Sequence, residues 1–214
     1  MSSRIAKLIR LENASPQPYK LFCQFQKILV ESELQRKDVQ NLAGGSLNYF
    51  KNGCGTIISL QHESVYTYGR HWVKDGKDIK TKLKLRTPLE ESPRGGQLTC
   101  HSPGQLIIYF ILNLDLLDQI KMLQFIDILQ KCLIKTYSQF GLTTFAKNHG
   151  IWMDCNQKLG FIGLKRESSI TSHGIALNVN NDLSYFDDIV TCKEFNAKIT
   201  SISNKLGHNL EIER

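Results

Sequence analysis

Leu106 to Leu114 is the longest apolar stretch free of charge in a chain of 214 residues. A membrane-spanning helix needs roughly 18 or more apolar residues, so this run reads as a buried strand and no membrane span is expected. Signals for the rest of a sheet flank it. Ile5 to Leu11 reads as a strand, and Leu21, Phe22, Phe25, Ile28 and Leu29 recur at helical spacing after Pro18, marking a helix that packs on a sheet. Thr56 to Leu60 and Ser64 to Tyr68 are β-rich, whereas Lys74 to Pro93 carries many charges and reads as a solvated connection. After the strand Gln105 to Leu114, a stripe of Met122, Ile126, Leu129, Leu133 and Tyr137 ends before Gly141 and reads as the core face of a helix. Short strands follow around Gly150 to Asp154, Gly160 to Leu164 and Gly174 to Val179, separated by polar turns. The whole describes an α/β chain without internal repeats.

Composition narrows the function. With 41% hydrophobic and 22% charged residues the chain is of ordinary globular make-up, long enough to bury a substantial core. The six cysteines, Cys23, Cys54, Cys100, Cys132, Cys155 and Cys192, are scattered without a CxxC pair, which argues against a zinc ribbon and for a reducing compartment. No metal site is expected. A formal net charge of +7 favours acidic partners. Lysines and arginines are not clustered among aromatics, so a generally basic surface is the reading and nucleic acid is not an expected partner.

Three stretches carry residues a plain connector does not need. The first, Arg94 to Leu106, brings glycines, an arginine and a histidine together just before the apolar strand. Paired glycines let the backbone approach a ligand, where exposed amides bind a phosphate or a developing oxyanion and Arg94 adds charge; the alternative is a surface turn whose glycines serve geometry alone. The second, Lys158 to Asn180, puts Lys158 at the edge of a glycine-punctuated strand pair. A lysine partly withdrawn from water serves as a base or as counter-ion to a thiolate, whereas most strand-end lysines reach solvent. His173 lies in the same stretch, either orienting a substrate or structural. The third, Asn180 to Phe195, holds Cys192 in a polar setting with Lys158 and Lys193 as candidate cations; a free thiol is mostly protonated at neutral pH and needs such a neighbour to act as a nucleophile, while inert burial is the usual fate of a cysteine.

Taken in order, with LQHESVYTYGR at Leu60 to Arg70 ahead of them, these stretches resemble the lipoyl(octanoyl) transferase family over about Arg4 to Leu206. In that family an RGGxxTxHxPGQ segment lines the acyl site, matched here by Arg94, Gly95, Gly96, Gln97, Leu98, Thr99, Cys100 and His101. Its further substrate-lining segments match Phe161, Ile162 and Gly163, then Gly174, Ile175 and Ala176, and its catalytic cysteine and lysine match Cys192 and Lys158. The resemblance implies the fold of the biotin and lipoate protein ligases, an α/β (α+β) fold with a mixed, largely antiparallel sheet flanked by helices. It implies one domain over residues 1–214, with the family's final helix absent. It also implies octanoyl transfer from octanoyl-acyl carrier protein to a lysine of lipoyl-domain proteins, such as the glycine cleavage H protein and 2-oxoacid dehydrogenase E2 subunits, through a thioester on Cys192. No cofactor or ATP enters that reaction, and a monomer is expected.

The sequence departs from the family at Cys100, where an aromatic is usual, at Ser102, where glycine is usual, and in Thr191, Cys192, Lys193, where the family reads Pro-Cys-Gly. Lys193 follows the thiol directly, so in an extended segment it faces away from it and Lys158 is the working cation. The competing readings are an ATP-dependent lipoate or biotin ligase and a catalytically silent protein that binds acyl carrier or lipoyl domains. Met1 to Leu11 contains Arg4, Lys7 and Arg10 without an acid, a composition that suits mitochondrial import, with the cytoplasm as the alternative.

Overall fold

The computed structural model describes residues 5–12, 14–42, 53–72, 85–189 and 198–212. The apolar run becomes strand β6 (Gln105–Leu112), near the middle of an eight-stranded sheet. Strands β1 (Ile5–Arg10), β2 (Gly53–Leu60), β6, β10 (Ile170–Asn178), β9 (Gln157–Glu167), β8 (Gly150–Trp152) and β7 (Phe145–Lys147) follow one another across it, and β11 (Lys198–Ile199) pairs with β9. The β1–β2 and β9–β11 pairs are parallel and the others antiparallel, so the sheet is mixed and largely antiparallel as expected.

Both faces of the sheet are covered, which is why β6 cannot tolerate charge. Ile107, Tyr109 and Ile111 point to one face, where they pack with Phe22 and Val30 of helix α1 (Tyr19–Leu42). Phe110 and Leu112 point to the other, against Phe125, Leu129, Leu133 and Tyr137 of helix α2 (Met122–Gln139). At the start of helix α2 the Lys121 N–H donates to Gln124 Oε1 at 2.7 Å, and the helix stops before Gly141, whose φ of +73° suits a residue without Cβ.

Several expectations need correction. On α1 the buried line is Tyr19, Phe22, Gln26 and Val30, whereas Leu21 and Ile28 face solvent. Apolar residues occupy more than one stripe of this helix, and the one that turns inward carries Gln26, whose Oε1 accepts the His173 N–H at 2.7 Å. Met122 and Ile126 of the α2 stripe are half-buried beside a cavity rather than in the closed core. The two β-rich runs before residue 69 belong to different sheets: β3 (Val65–Tyr68) lies between β4 (Leu89–Glu91) and β5 (Leu98–His101) in a separate three-stranded sheet. The charged connection Lys74 to Pro93 therefore contains strand β4, which its charges hid, while residues 73–84 lie outside the described residues. Among the described residues no helix is long and apolar enough to cross a membrane.

Gly174 of β10 leaves no room for a side chain against β6. A Cβ there would lie 1.9 Å from the Ile108 carbonyl oxygen, which cannot yield without parting the strands, and 3.0 Å from Phe110 Cδ2. Gly174→Ala should therefore cost about 3 kcal/mol of unfolding free energy. Gly141→Ala, strained in φ but with nothing within 4 Å, should cost only about 1 kcal/mol. Urea titration of the two variants measures the difference, and equal losses would refute it.

Candidate active site

A cavity of about 370 Å³ opens where the two sheets meet, walled by β9 and β10, the Arg94–Thr99 loop, the start of α2 and the β7–β8 turn. It gathers most of the expected residues: Arg94, Gly95, Gly96, Gln97, Leu98, Thr99 and His101; Phe161, Ile162 and Gly163; Gly174, Ile175 and Ala176; and Lys158. Cys100 is not on its wall. Cys100 packs with Leu98, Tyr66, Tyr68 and Trp72 on the face of β5 opposite Thr99 and His101, and burial pushes its thiol up to about 12. Ser102 is buried. Cys192 and Lys193 lie outside the described residues.

Lys158 is the second residue of β9 and only 3% exposed. Its Nζ lies 5.0 Å from the centre of the Trp152 ring and 4.9 Å from that of Phe161, so the ammonium rests against two aromatic faces. Room for it comes from Gly150 on the neighbouring strand, where a Cβ would come within 2.5 Å of Lys158 Cε. A register shift between Ile151 and Trp152 brings Trp152 opposite Lys158. Lys158 thus faces inward, the less common fate for a strand-end lysine.

Arg94 is also buried, and its guanidinium organises the glycine loop. Nη2 donates to Thr67 O at 3.0 Å, Thr67 Oγ1 at 2.9 Å and Gln97 O at 3.0 Å, and Nη1 donates to Gly95 O at 3.0 Å. Gly163 leaves the space for it, since a Cβ there would sit 3.0 Å from Arg94 Cδ. A fixed positive charge therefore lies in the wall, held by carbonyl dipoles.

Beyond it stand residues the sequence reading left out. Tyr19 stacks on His101 with ring centres 5.8 Å apart, and Tyr109 meets His173 edge-on at 5.9 Å. His62 sits behind them: its Nδ1 donates to Gln17 O at 2.8 Å, and Nε2 accepts the Tyr109 hydroxyl at 2.6 Å. His101 Nδ1 donates to Gln105 Oε1 at 2.7 Å, which leaves Nε2 as an acceptor. Burial holds all three imidazoles neutral, His62 down to about 4 and His101 and His173 to about 3, with Arg94 adding repulsion at the latter two. Apart from Arg94 and Lys158, the wall is thus aromatic and neutral in its depth, while Arg70, His71 and Arg166 at its border are exposed. His62 and Arg70 fall in the LQHESVYTYGR run, but Tyr19 had no signal beyond helical spacing. Among the described residues no group of three or more His, Cys, Asp and Glu side chains could hold a metal ion.

The chain matches the lipoyl protein ligase A/B catalytic domain over residues 35–214. It is 33% identical over 165 residues to an octanoyltransferase of Bacteroides fragilis, covering 73% of this chain and 74% of that one. To the mitochondrial octanoyl-[acyl-carrier-protein]:protein N-octanoyltransferase of Danio rerio it is 34% identical over 180 residues, 83% of this chain and 78% of that one. Among solved structures, a lipoate-protein ligase A bound with ATP superposes with a TM-score of 0.67 at 13% identity, covering 93% of this chain and 76% of that one. The Aquifex aeolicus biotin protein ligase in complex with biotin and ATP gives 0.52 at 13% identity, covering 97% and 62%. At such identities the likeness is one of fold, that of the lipoate and biotin protein ligases.

The neutral histidines have a consequence for stability. Their folded pKa values lie below the roughly 6.5 of an unfolded histidine, so between about pH 6.5 and pH 4 the unfolded chain binds more protons and stability falls as pH falls. Each contributes a slope of up to about 1.4 kcal/mol per pH unit. His173 adopts φ +59°, a conformation that asparagine tolerates, so His173→Asn should keep the backbone and make the urea-unfolding profile shallower in this range. An identical slope in the variant would show that His173 is not held neutral by the fold.

Proposed function

The chain belongs to the octanoyltransferases of the lipoyl protein ligase A/B family, and from that premise we propose that Cys192 carries the octanoyl group as a thioester while Lys158 handles charge and proton beside it. Its activity is octanoyl transfer in lipoate assembly. The donor is octanoyl-acyl carrier protein, and the acceptor is a lysine of a lipoyl-domain protein such as the glycine cleavage H protein or an E2 subunit.

What supports the pairing is that both flanks of the segment holding Cys192 are tied to Lys158. On the entering side, Phe186 stacks on Phe161 with ring centres 5.5 Å apart and planes 7° from parallel, and Phe161 is the ring that faces Lys158 Nζ. On the leaving side, Ile199 of β11 pairs with Lys158, and the Thr200 N–H donates to Lys158 O at 2.9 Å. Cys192 falls in the stretch of sequence between these two flanks, three residues after the buried Ile189, which supports the pairing.

In the first step the Cys192 thiolate, favoured by the nearby ammonium, attacks the carbonyl carbon of the donor thioester. The carbon–sulfur bond to the carrier breaks, and the carrier sulfur leaves as a thiol with a proton from the Lys158 ammonium, which is left as a neutral amine. In the second step the acceptor amine attacks the octanoyl-Cys192 carbonyl; an amide forms, the cysteine sulfur departs, and Lys158 takes the proton the amine sheds. Neither step consumes ATP, because a thioester is already activated. The cavity holds the acyl tail: each methylene withdrawn from water is worth about 0.8 kcal/mol, and the neutral histidines add no further charge to the wall beside Arg94 and Lys158.

The exposed Arg70 and Arg166 at the cavity border suit an acidic carrier domain. The mitochondrial location of the Danio rerio relative and the basic first residues support action in mitochondria.

Turnover with octanoyl-acyl carrier protein and a lipoyl domain tests the reading. Cys192→Ser should abolish it, Lys158→Ala should lower it about a hundredfold or more, the range of a positioned acid or base, and Lys193→Gly should change it little. Full activity in Cys192→Ser would exclude the thioester route.

A further inference from the structure

Outside the cavity, one cluster of polar groups is left unused by this mechanism, and it sits where the chain turns toward Cys192. The 3-10 turn Leu183–Asp188 ends four residues before that cysteine. Its start is capped locally, the Ser184 N–H donating to Asp182 Oδ1 at 2.9 Å. Its end is held from elsewhere. Asp188 Oδ2 accepts the Tyr66 hydroxyl at 2.5 Å and Arg86 Nε at 2.7 Å. Arg86 Nη1 donates to Ser184 Oγ at 3.1 Å, and its guanidinium lies 4.5 Å from the centre of the Tyr185 ring. Tyr66 also donates to Tyr185 O at 3.2 Å. Three elements distant in sequence therefore meet on one carboxylate oxygen: β3, the residue Arg86 that leads into β4, and the turn.

We propose that the Tyr66–Asp188–Arg86 junction is a positioning device for the nucleophile, fixing where the chain departs for Cys192 relative to Lys158. It rests on the reading of Cys192 as the acyl carrier. Two features separate this role from plain fold stability. Phe186 and Ile189 already anchor the turn through apolar packing with Tyr66, Tyr68 and Leu98, and an ion pair this exposed, with side chains 45% and 21% accessible, adds little to the stability of a fold. What it adds is direction: a charged, two-donor contact on a single oxygen tolerates less rotation than apolar packing does. None of Tyr66, Arg86 and Asp188 borders the cavity, so their loss leaves the acyl pocket intact.

The test compares Asp188→Ala, Asp188→Asn and Arg86→Ala with Arg86→Lys in the full chain. Misplacing a nucleophile by about 1 Å costs on the order of a hundredfold, so kcat in Asp188→Ala and Arg86→Ala should fall between about tenfold and a hundredfold, with Asp188→Asn between them and wild type. KM for octanoyl-acyl carrier protein should stay within about twofold, and the pH midpoint for alkylation of Cys192 by iodoacetamide should rise as the thiol loses its place beside Lys158. Arg86→Lys, which keeps the charge on Asp188, should recover most of both. Melting temperature, read alongside, should hardly move. An unchanged alkylation midpoint and kcat in Asp188→Ala overturn the proposal, and so does a kcat loss matched by a large fall in melting temperature. Full turnover in Cys192→Ser overturns the reading beneath it, and the proposal with it, whereas an inactive Cys192→Ser with unaltered junction variants overturns the proposal alone.

Discussion

The site depends on keeping one lysine side chain inside the protein. Lys158 would ordinarily run its stem along the surface and leave its charge in water. Here the strand beside it has glycine at 150, and the vacated volume is filled by the lysine's own Cε and Nζ. Trp152 and Phe161 then offer two aromatic faces to the ammonium. Backbone pairing with β11 prevents the strand from rotating the side chain outward.

Electrostatics in the rest of the cavity follow from the same economy of charge. Arg94 is the second buried cation of the wall, and its hydrogen bonds to Thr67, Gly95 and Gln97 are all to neutral oxygens. Burial together with that fixed charge keeps His101 and His173 unprotonated at any physiological pH. On the proposed reading an acyl tail meets aromatic edges and glycine backbone in the depth of the cavity, while positive charge is held at Arg94 and Lys158 in the wall and at the exposed arginines of the border. A thioester carbonyl needs this arrangement: apolar cover for the tail, and a cation where sulfur and oxygen become negative.

Much of the scaffold was legible in the sequence because it is written in local patterns. The uncharged Leu106–Leu114 run marked the strand covered on both faces, and the stripe ending at Tyr137 marked α2. The motif resemblance gathered residues from β5, β9 and β10 that the fold does bring to one cavity. What stayed hidden depends on pairing across the chain. Strand β4 is three residues long and two of them are glutamate, so nothing local betrayed that it would pair with β3. Cys100 sits within a motif but faces the other side of its strand, a matter of register that one motif cannot fix. Gln26 and Gly150 carry no motif at all; one props the His173 backbone and the other makes room for Lys158, and both roles exist only once the strands are assembled.

The central claim is that a covalent octanoyl-enzyme forms beside Lys158, and its most direct test is intact mass spectrometry of the protein mixed with octanoyl-acyl carrier protein before any acceptor is added. The account predicts the mass increment of a single octanoyl group, mapped by peptide sequencing to Cys192 and lost when a lipoyl domain is supplied. An enzyme that turns over while showing no such increment, or one that carries it on a different residue, would contradict the account.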